Sequence, residues 1–449
     1  MALFSKVNPS NTLSPGLYRY DLVKDDSKTQ LHLRVDEDLS GALLINAARV
    51  VHLNPSATAI AYCQLEKYDK GKAMNFLSGL FKADKKILEK DYAETSMKIN
   101  ALTDEGSGLC PVCDLDLEIK MPFSAKLSAP YRMDLALTYR CNNDCAHCYN
   151  ARPRNYPELD SASWKQIIDR LWALRIPHLV FTGGEPTLRA DLPELIAYAQ
   201  SKGMITGLNT NARRLADPKL VQQLVEAGLD HVQITVEAAS ETIHNTMVRS
   251  SSAWQETIAG LRNAVKSRLY LMTNTTLLQN NAAALPAILE FLKEEQVPTI
   301  GLNALIYSGH GQSVNTGLQE RELPELLKLA QDFTKNSGQR LIWYTPTQYC
   351  HFDPLLLDLG VKGCTAAYYN MCIEPDGMVI PCQSYYEGLG KILEENWESI
   401  WNHPLARQLR ERKYIPSGCK TCDYLIECGG GCPLARKHQK VQPIYRVLT

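Results

Sequence analysis

Three cysteines fall within eight residues: Cys141-Asn-Asn-Asp-Cys145-Ala-His-Cys148. The spacing CxxxCxxC lets three thiolates cap three corners of a cubic iron–sulfur cluster and leaves the fourth iron without a protein ligand. A metal position left open is a place for chemistry. A closed structural zinc site would need a fourth ligand, and the nearby His147 lies inside the same tight loop.

A second set of cysteines lies near the other end of the chain. It reads Cys364-x7-Cys372-x9-Cys382, then Cys419-x2-Cys422-x5-Cys428-x3-Cys432. Gly429-Gly430-Gly431 precedes the last of them and lets the backbone wrap tightly around a cluster. The remaining cysteines are Cys63, Cys110, Cys113 and Cys350. Core packing would not cluster fourteen cysteines in this way. The start, MALFSKVNPSN, lacks the apolar core of a secretory signal, so metal ligation in the cytoplasm is expected rather than disulfides. Cys63 reads as a buried thiol, and Cys110-Pro-Val-Cys113 as linker thiols or a redox pair.

The elements that must position these groups follow from periodicity. From Met133 short apolar strands alternate with amphipathic helices. Strands are expected at Met133–Thr138, His178–Thr182, Ile205–Asn209, His231–Val236, Tyr270–Thr275 and Thr299–Ala304. Helices are expected at Ser163–Leu174, Leu192–Ser201, Pro218–Ala227, Ala253–Val265 and Leu285–Lys293. Six such repeats predict an α/β fold, a parallel sheet curved into a partial or full barrel. Ligands of such sheets sit beyond the carboxyl ends of the strands. After Leu341–Tyr344 the repeat stops. A hairpin over Met371–Ile373 and Met378–Ile380, turned at Asp376-Gly377, and a helix over Trp397–Arg412 are expected there. The first 105 residues predict a small α+β domain. Its strands are Thr29–Val35, Leu43–Ile45 and Arg49–Leu53, and three helices follow, the last capped by Asp84. The domains are thus expected at 1–105, 132–348 and 349–449, with 106–131 a linker.

The CxxxCxxC loop after the first strand of a run of βα units resembles the radical S-adenosylmethionine (radical SAM) family. Thr182-Gly183-Gly184-Glu185-Pro186 is similar to that family's GGEP motif, whose backbone and glutamate receive the methionine amino group. Asn209-Thr210-Asn211 resembles its polar third-strand pattern, and Gln233-Ile-Thr235-Val-Glu237 its ribose-contacting stretch. Arg249 sits where an arginine lies near the S-adenosylmethionine carboxylate, and Asn274 ends the fifth strand similarly. His147 replaces the usual aromatic residue before the third cysteine and keeps a ring that can stack on adenine. The resemblance implies Cys141, Cys145 and Cys148 as ligands of a 4Fe-4S cluster. It also implies reductive cleavage of S-adenosylmethionine and removal of a substrate hydrogen by the 5'-deoxyadenosyl radical.

The Gly377-x4-Cys382 element and CxxCx5CxxxC resemble the SPASM extension of such enzymes. Carried over, Cys364, Cys382 and Cys432 would hold one auxiliary cluster, with Cys372 a possible fourth ligand, and Cys419, Cys422 and Cys428 a second. The family pattern has one more cysteine after the last motif, and this chain has none after Cys432. One cluster therefore has an open iron, a non-cysteine ligand such as His438, a cysteine from Cys110, Cys113 or Cys350, or is smaller. Cys350 and Tyr385 are candidate hydrogen donors by their chemistry alone.

The N-terminal domain is similar in pattern and position to the RiPP recognition element, the PqqD-like leader-binding domain of peptide-modifying systems. There a leader peptide adds a strand to a sheet edge, here expected at Arg49–Leu53, and packs on the last helix, here Lys85–Asn100. The implied partners are a precursor peptide with its leader and an electron donor such as flavodoxin or ferredoxin, in a low-oxygen cytoplasm. The implied reaction is a thioether or carbon–carbon cross-link, or epimerisation. A maturase of a protein side chain or small cofactor, of formylglycine, quinone or tetrapyrrole type, is the rival enzyme, and an iron–sulfur electron carrier the rival of another class. Forty-eight basic against 49 acidic side chains argue against a nucleic-acid or membrane-surface partner, and no apolar run is long enough to span a membrane.

Overall fold

The computed structural model describes residues 12–24, 27–46, 49–103 and 127–438. The chain divides into two compact units, Met1–Ala125 and Lys126–Thr449. Cys110 and Cys113 lie outside the described residues, as does most of the expected linker.

In the first unit four strands form an antiparallel meander: β1 (Gly16–Lys24), β2 (Ser27–Val35), β3 (Gly41–Ile45) and β4 (Arg49–Leu53). Three helices follow: α1 (Pro55–Leu65), α2 (Lys70–Leu80) and α3 (Lys85–Thr103). Proline at the first position starts α1, and the Asn54 side chain accepts from the Ala57 amide at 2.8 Å. Leu31, Leu33 and Leu43 of the sheet meet Ile60, Leu77 and the buried Cys63 of the helices in one core. Strand β1 was not expected. Its Tyr18 packs edge-on against Tyr62 of α1 at 5.2 Å, and its Tyr20 hydroxyl donates to Glu66 at 2.8 Å. Both strands at the sheet's margins, β1 and β4, are edges, which puts Arg49–Leu53 where the sequence expected it.

The second unit is built on a ten-stranded sheet. Strands β5 (Arg132–Thr138), β6 (His178–Gly183), β7 (Ile205–Thr210), β8 (His231–Thr235), β9 (Tyr270–Leu277), β10 (Thr299–Ala304) and β11 (Arg340–Trp343) run parallel in sequence order. Helices α4 (Ser161–Ala173), α5 (Leu192–Lys202), α6 (Pro218–Glu226), α7 (Glu241–Val248), α8 (Ala253–Val265), α9 (Leu285–Glu294) and α10 (Leu323–Ser337) lie between them. Six barrel strands were expected, and β11 extends the parallel run by one. Beyond β5 the sheet continues with β12 (Asn370–Ile373), parallel to β5, and then β13 (Met378–Ile380) and β14 (Gly390–Lys391), antiparallel. The expected C-terminal hairpin is therefore part of the barrel's sheet.

Alternate residues of each strand face opposite ways. Leu135, Phe181, Leu208, Ile234 and Leu302 pack with Trp164, Leu195, Leu224, Leu261 and Leu289 of the helices in one large core. Fully burying one such side chain is worth about 1.5–3 kcal/mol. The opposite face carries Asp134, Thr182, Asn209, Gln233, Thr235, Asn274 and Asn303, so the barrel interior is polar. The expected helix Trp397–Arg412 is two helices, α11 (Trp397–Trp401) and α12 (Pro404–Arg410). Pro404 has no amide to donate and holds His403 out of helical geometry, which breaks the run. Two short helices, α13 (Leu425–Cys428) and α14 (Pro433–His438), follow.

Candidate active site

The Cys141–Cys148 loop leaves the carboxyl end of β5, and the Gly183–Glu185 segment lies beside it at the end of β6. The Gly184 amide donates to the Thr138 carbonyl at 2.7 Å and the Glu185 amide to the Arg140 carbonyl at 2.8 Å. At Gly183, φ is +135° and a Cβ would lie 2.1 Å from the Thr138 carbonyl oxygen. Only glycine permits that approach.

The loop is tied down on several sides. The Asp144 and Ala146 amides donate to the Val248 and Met247 carbonyls of α7 at 3.0 and 2.9 Å. Arg154 donates to the Cys141 and Asn143 carbonyls and pairs with Asp144 at 2.8 Å. Arg213 donates to the Asn142 carbonyl, to Asn143 Oδ1 at 2.9 Å and to Glu256. Arg154 and Arg213 escaped the sequence reading. Arg213 stands two residues beyond Asn211 at a strand end, which is the one signal that pointed to it.

Burial pushes the Cys141 thiol up to about 11 and raises Cys145 and Cys148 as well. Behind burial, Cys145 is raised further by Cys148, Glu237 and Cys141. A bound metal deprotonates thiols that coordinate it. The Asn143 amide approaches Cys141 Sγ at 3.4 Å, the contact that cluster thiolates commonly accept. All three are free thiols. Among the described residues no three cysteine, histidine or acidic side chains converge tightly enough for a single metal ion; a four-iron cube holds its thiolates further apart than one ion does.

The polar residues expected around S-adenosylmethionine divide into two groups. Thr235 and Asn274 are register partners on β8 and β9. The side-chain oxygens of Asn274 and Asn303 and the Nδ1 of His147 are buried without a hydrogen-bond partner. Orphaned polar atoms at the strand ends fit a polar ligand. The two carboxylates are instead engaged within the protein. Glu185, fully buried, accepts from the Thr187 amide at 3.0 Å, the Thr187 and Thr210 hydroxyls at 2.6 and 2.7 Å, and the Asn211 amide at 2.8 Å. Burial raises it despite these donors. Glu237, also fully buried, meets His147 Nε2 at 2.9 Å and accepts from the Thr276 amide at 2.9 Å. Thr210 and Asn211, rather than Asn209, reach Glu185, and Asn211 Nδ2 approaches Cys141 Sγ at 3.9 Å. Arg249 caps α7, lies exposed and pairs with Asp144 of the cysteine loop at 3.9 Å.

Burial raises Cys364, and the charges of Cys432 and Cys382 add to it. Cys382 is pushed up to about 12 by burial, with Cys432 adding to it. Cys372, the possible fourth ligand, is raised by burial, with Asp134 and then Cys382 adding to it. It lies fully buried on β12 beside Ala136, Tyr139 and Ile380, with its thiol turned to the Ile373 carbonyl at 3.7 Å. Burial, then Cys350 and Cys422, raise Cys419 against the cation of Arg436. Burial, then Cys350 and Cys419, raise Cys428, which accepts from the Tyr349 amide at 3.5 Å. His438 stacks on Tyr307 at 4.6 Å. Tyr385 is buried and its hydroxyl accepts from Lys437 at 2.9 Å.

Residues 135–292 match the Radical SAM superfamily, and residues 364–423 match SPASM, an iron-sulfur cluster-binding domain. The chain carries a radical SAM domain followed by a SPASM domain. It is an enzyme whose cofactors are iron–sulfur clusters and S-adenosylmethionine. The radical SAM barrel also resembles solved structures. SuiB of Streptococcus suis bound to precursor peptide SuiA has a TM-score of 0.72 at 16% identity, covering 96% of this chain and 99% of that one. The same protein bound to S-adenosylmethionine has a TM-score of 0.66 at 16% identity, covering 93% and 97%. The Fe-coproporphyrin III synthase of Methanosarcina barkeri (strain Fusaro / DSM 804) is 29% identical over 325 residues, 66% of this chain and 81% of that protein. No helix among the described residues is long and apolar enough to cross a membrane.

Proposed function

We propose that this radical SAM enzyme modifies a ribosomally made precursor peptide, by hydrogen abstraction followed by formation of a thioether or carbon–carbon cross-link. A four-iron cluster carrying S-adenosylmethionine would supply one-electron chemistry that removes a substrate hydrogen. Cys141, Cys145 and Cys148 would hold the cluster at the open end of the barrel. The Gly183–Glu185 segment, Thr235, Asn274 and Asn303 would line the S-adenosylmethionine side, with Glu185 and Glu237 holding the strand ends and the His147 ring in place. Their stiffness keeps the reacting hydrogen close and water out.

The observation that carries the peptide reading is the first unit. A barrel that acts on a small molecule has no need of a separate four-stranded meander with three helices. The likeness to SuiB, crystallised with its precursor peptide, extends over 96% of this chain. Edge strand β4 exposes Val50, and α3 exposes Ile87 and Met97, apolar groups of the kind a leader peptide covers. The second reading, a tetrapyrrole-modifying enzyme, is favoured by the likeness to Fe-coproporphyrin III synthase over 66% of the chain.

Co-expression with any short open reading frame found beside the gene, followed by mass spectrometry of the encoded peptide, tests the proposal. A loss of about 2 Da per event marks a cross-link, and deuterium uptake without mass loss in ordinary water marks epimerisation. An unaltered peptide, together with 5'-deoxyadenosine release stimulated by an iron tetrapyrrole, would favour the second reading.

A further inference from the structure

Two four-iron clusters need eight thiolates, and the stretch from Cys364 to Cys432 supplies seven. By the SPASM resemblance Cys364, Cys382 and Cys432 would hold one cluster, with Cys372 a possible fourth ligand, and Cys419, Cys422 and Cys428 would hold a second. The structure shows which segment lies against the second group. After β11 the chain turns over residues 348–351, where the His351 amide donates to the Gln348 carbonyl at 2.8 Å. In that turn the Tyr349 amide donates to Cys428 Sγ at 3.5 Å, and Cys428 Sγ lies 3.6 Å from the Thr347 carbonyl. The Tyr349 ring packs on Tyr424 at 6.2 Å. Arg436 joins Gln348 Oε1 to the Gly430 carbonyl, the latter at 2.9 Å. At Gly431, φ is +72° and a Cβ would lie 2.7 Å from Gln348 Cγ, so the triple glycine is what allows the turn to sit so close. Cys350 is the next residue of this turn. It is partly buried and free.

We propose that Cys350 is the fourth protein ligand of the iron–sulfur cluster held by Cys419, Cys422 and Cys428. The turn from β11 then straps the end of the barrel sheet to the cluster. A fully ligated cluster has no open iron for a substrate to occupy, so its role is to pass electrons. The proposal does not depend on whether the substrate is a peptide or a tetrapyrrole.

The test uses the full chain, loaded anaerobically with iron and sulfide. Iodoacetamide is added to the loaded protein and to protein stripped of iron by a chelator, and labelling at each cysteine is read by peptide mass mapping. Cys350 is expected to be protected together with Cys419, Cys422 and Cys428, with at least about a tenfold lower labelling rate than in stripped protein. Equal labelling of Cys350 in both states would overturn the proposal. A second arm compares Cys350→Ala and Cys350→Ser in a background lacking Cys141, Cys145 and Cys148. The alanine variant should lose up to about four irons per chain or show the signal of a three-iron cluster by electron paramagnetic resonance. The serine variant should keep its iron and shift that signal. Unchanged iron content and an unchanged spectrum in both variants would equally overturn it.

Discussion

His147 Nε2 lies 2.9 Å from a carboxylate oxygen of Glu237, although ninety residues separate them in the chain. The bond joins the cysteine loop to the end of β8, and the other Glu237 oxygen accepts from the Thr276 amide of β9. One buried carboxylate therefore sets the His147 ring relative to two strand ends. Glu237→Ala leaves a buried amide unpaired and should cost about 1–3 kcal/mol of stability. Glu237→Gln can still accept from Thr276 and donate to His147, so it should retain most of that stability. Urea unfolding of the two variants checks this, and an alanine variant as stable as the parent would exclude the role given to the carboxylate.

Replacing Cys141, Cys145 or Cys148 singly by alanine should abolish 5'-deoxyadenosine release from S-adenosylmethionine. It should also remove about four irons per chain while leaving the iron of the C-terminal groups in place. Iron analysis and chromatography of reduced, anaerobic protein measure both. Retained cleavage in all three variants would mean that the chemistry starts elsewhere.

Arg152 and Glu374 tie the exit of the cysteine loop to the hairpin beyond β12. The guanidinium donates twice to the fully buried carboxylate, at 2.7 and 2.8 Å, and the Tyr139 hydroxyl adds a third bond at 3.1 Å. Removing one partner of a buried pair strands the other charge. Arg152→Ala should destabilise the second unit by about 3–5 kcal/mol, and Arg152→Ala with Glu374→Gln by less. Chemical denaturation of the single and double variants gives the comparison; equal losses would show that the stranded charge is not the cause.

If β4 is the leader-binding edge, a charge at Val50 should weaken peptide binding without touching the barrel. Val50→Asp is expected to lower the affinity for a labelled precursor peptide by about tenfold. Cleavage of S-adenosylmethionine without peptide should be unchanged. Fluorescence anisotropy reads the first quantity, and an undiminished affinity would remove β4 from the binding surface.

The six barrel strands were legible because each pairs a continuous outward apolar face with a nearby turn signal. Thr299–Ala304 is found as expected, and the others differ by a residue or two at their ends. The cysteine groups were legible because their spacing is local. Strand β1, in which Tyr18, Tyr20 and Leu22 alternate with Arg19 and Asp21, carries the period of a half-buried strand and was legible but missed. What the sequence hid are contacts between residues far apart in the chain. Arg213 reaching the cysteine loop, Arg152 reaching Glu374 and Glu185 turning to Thr210 and Asn211 have no periodicity to betray them. The two glutamates show the consequence: their motifs were readable, but the donors that engage them come from neighbouring strands.

The pH dependence of stability has a located source in His244. The ring is 1% exposed, its Nδ1 accepts from the Glu237 amide at 3.3 Å, and Trp254 packs edge-on against it at 5.5 Å. Accepting at Nδ1 requires the neutral ring. Burial, with a smaller opposing pull from Glu237, lowers its pKa from 6.5 to about 4. The unfolded chain takes up this proton near pH 6.5 and the folded protein only near pH 4, so the unfolded state binds more protons between them. Stability from this group is therefore fully present above pH 6.5 and is lost as the pH falls toward 4. Between pH 7 and pH 5 the loss amounts to about 2 kcal/mol. His231, lowered to about 4 by burial and then by Arg132, acts in the same direction, and the raised pKa values of Asp134 and Glu185 oppose it. The difference between parent and His244→Gln isolates the one group, because glutamine can accept from the Glu237 amide and does not titrate. Unfolding midpoints of the two proteins should converge as the pH drops from 7 to 5, and parallel profiles would show that His244 keeps an ordinary pKa.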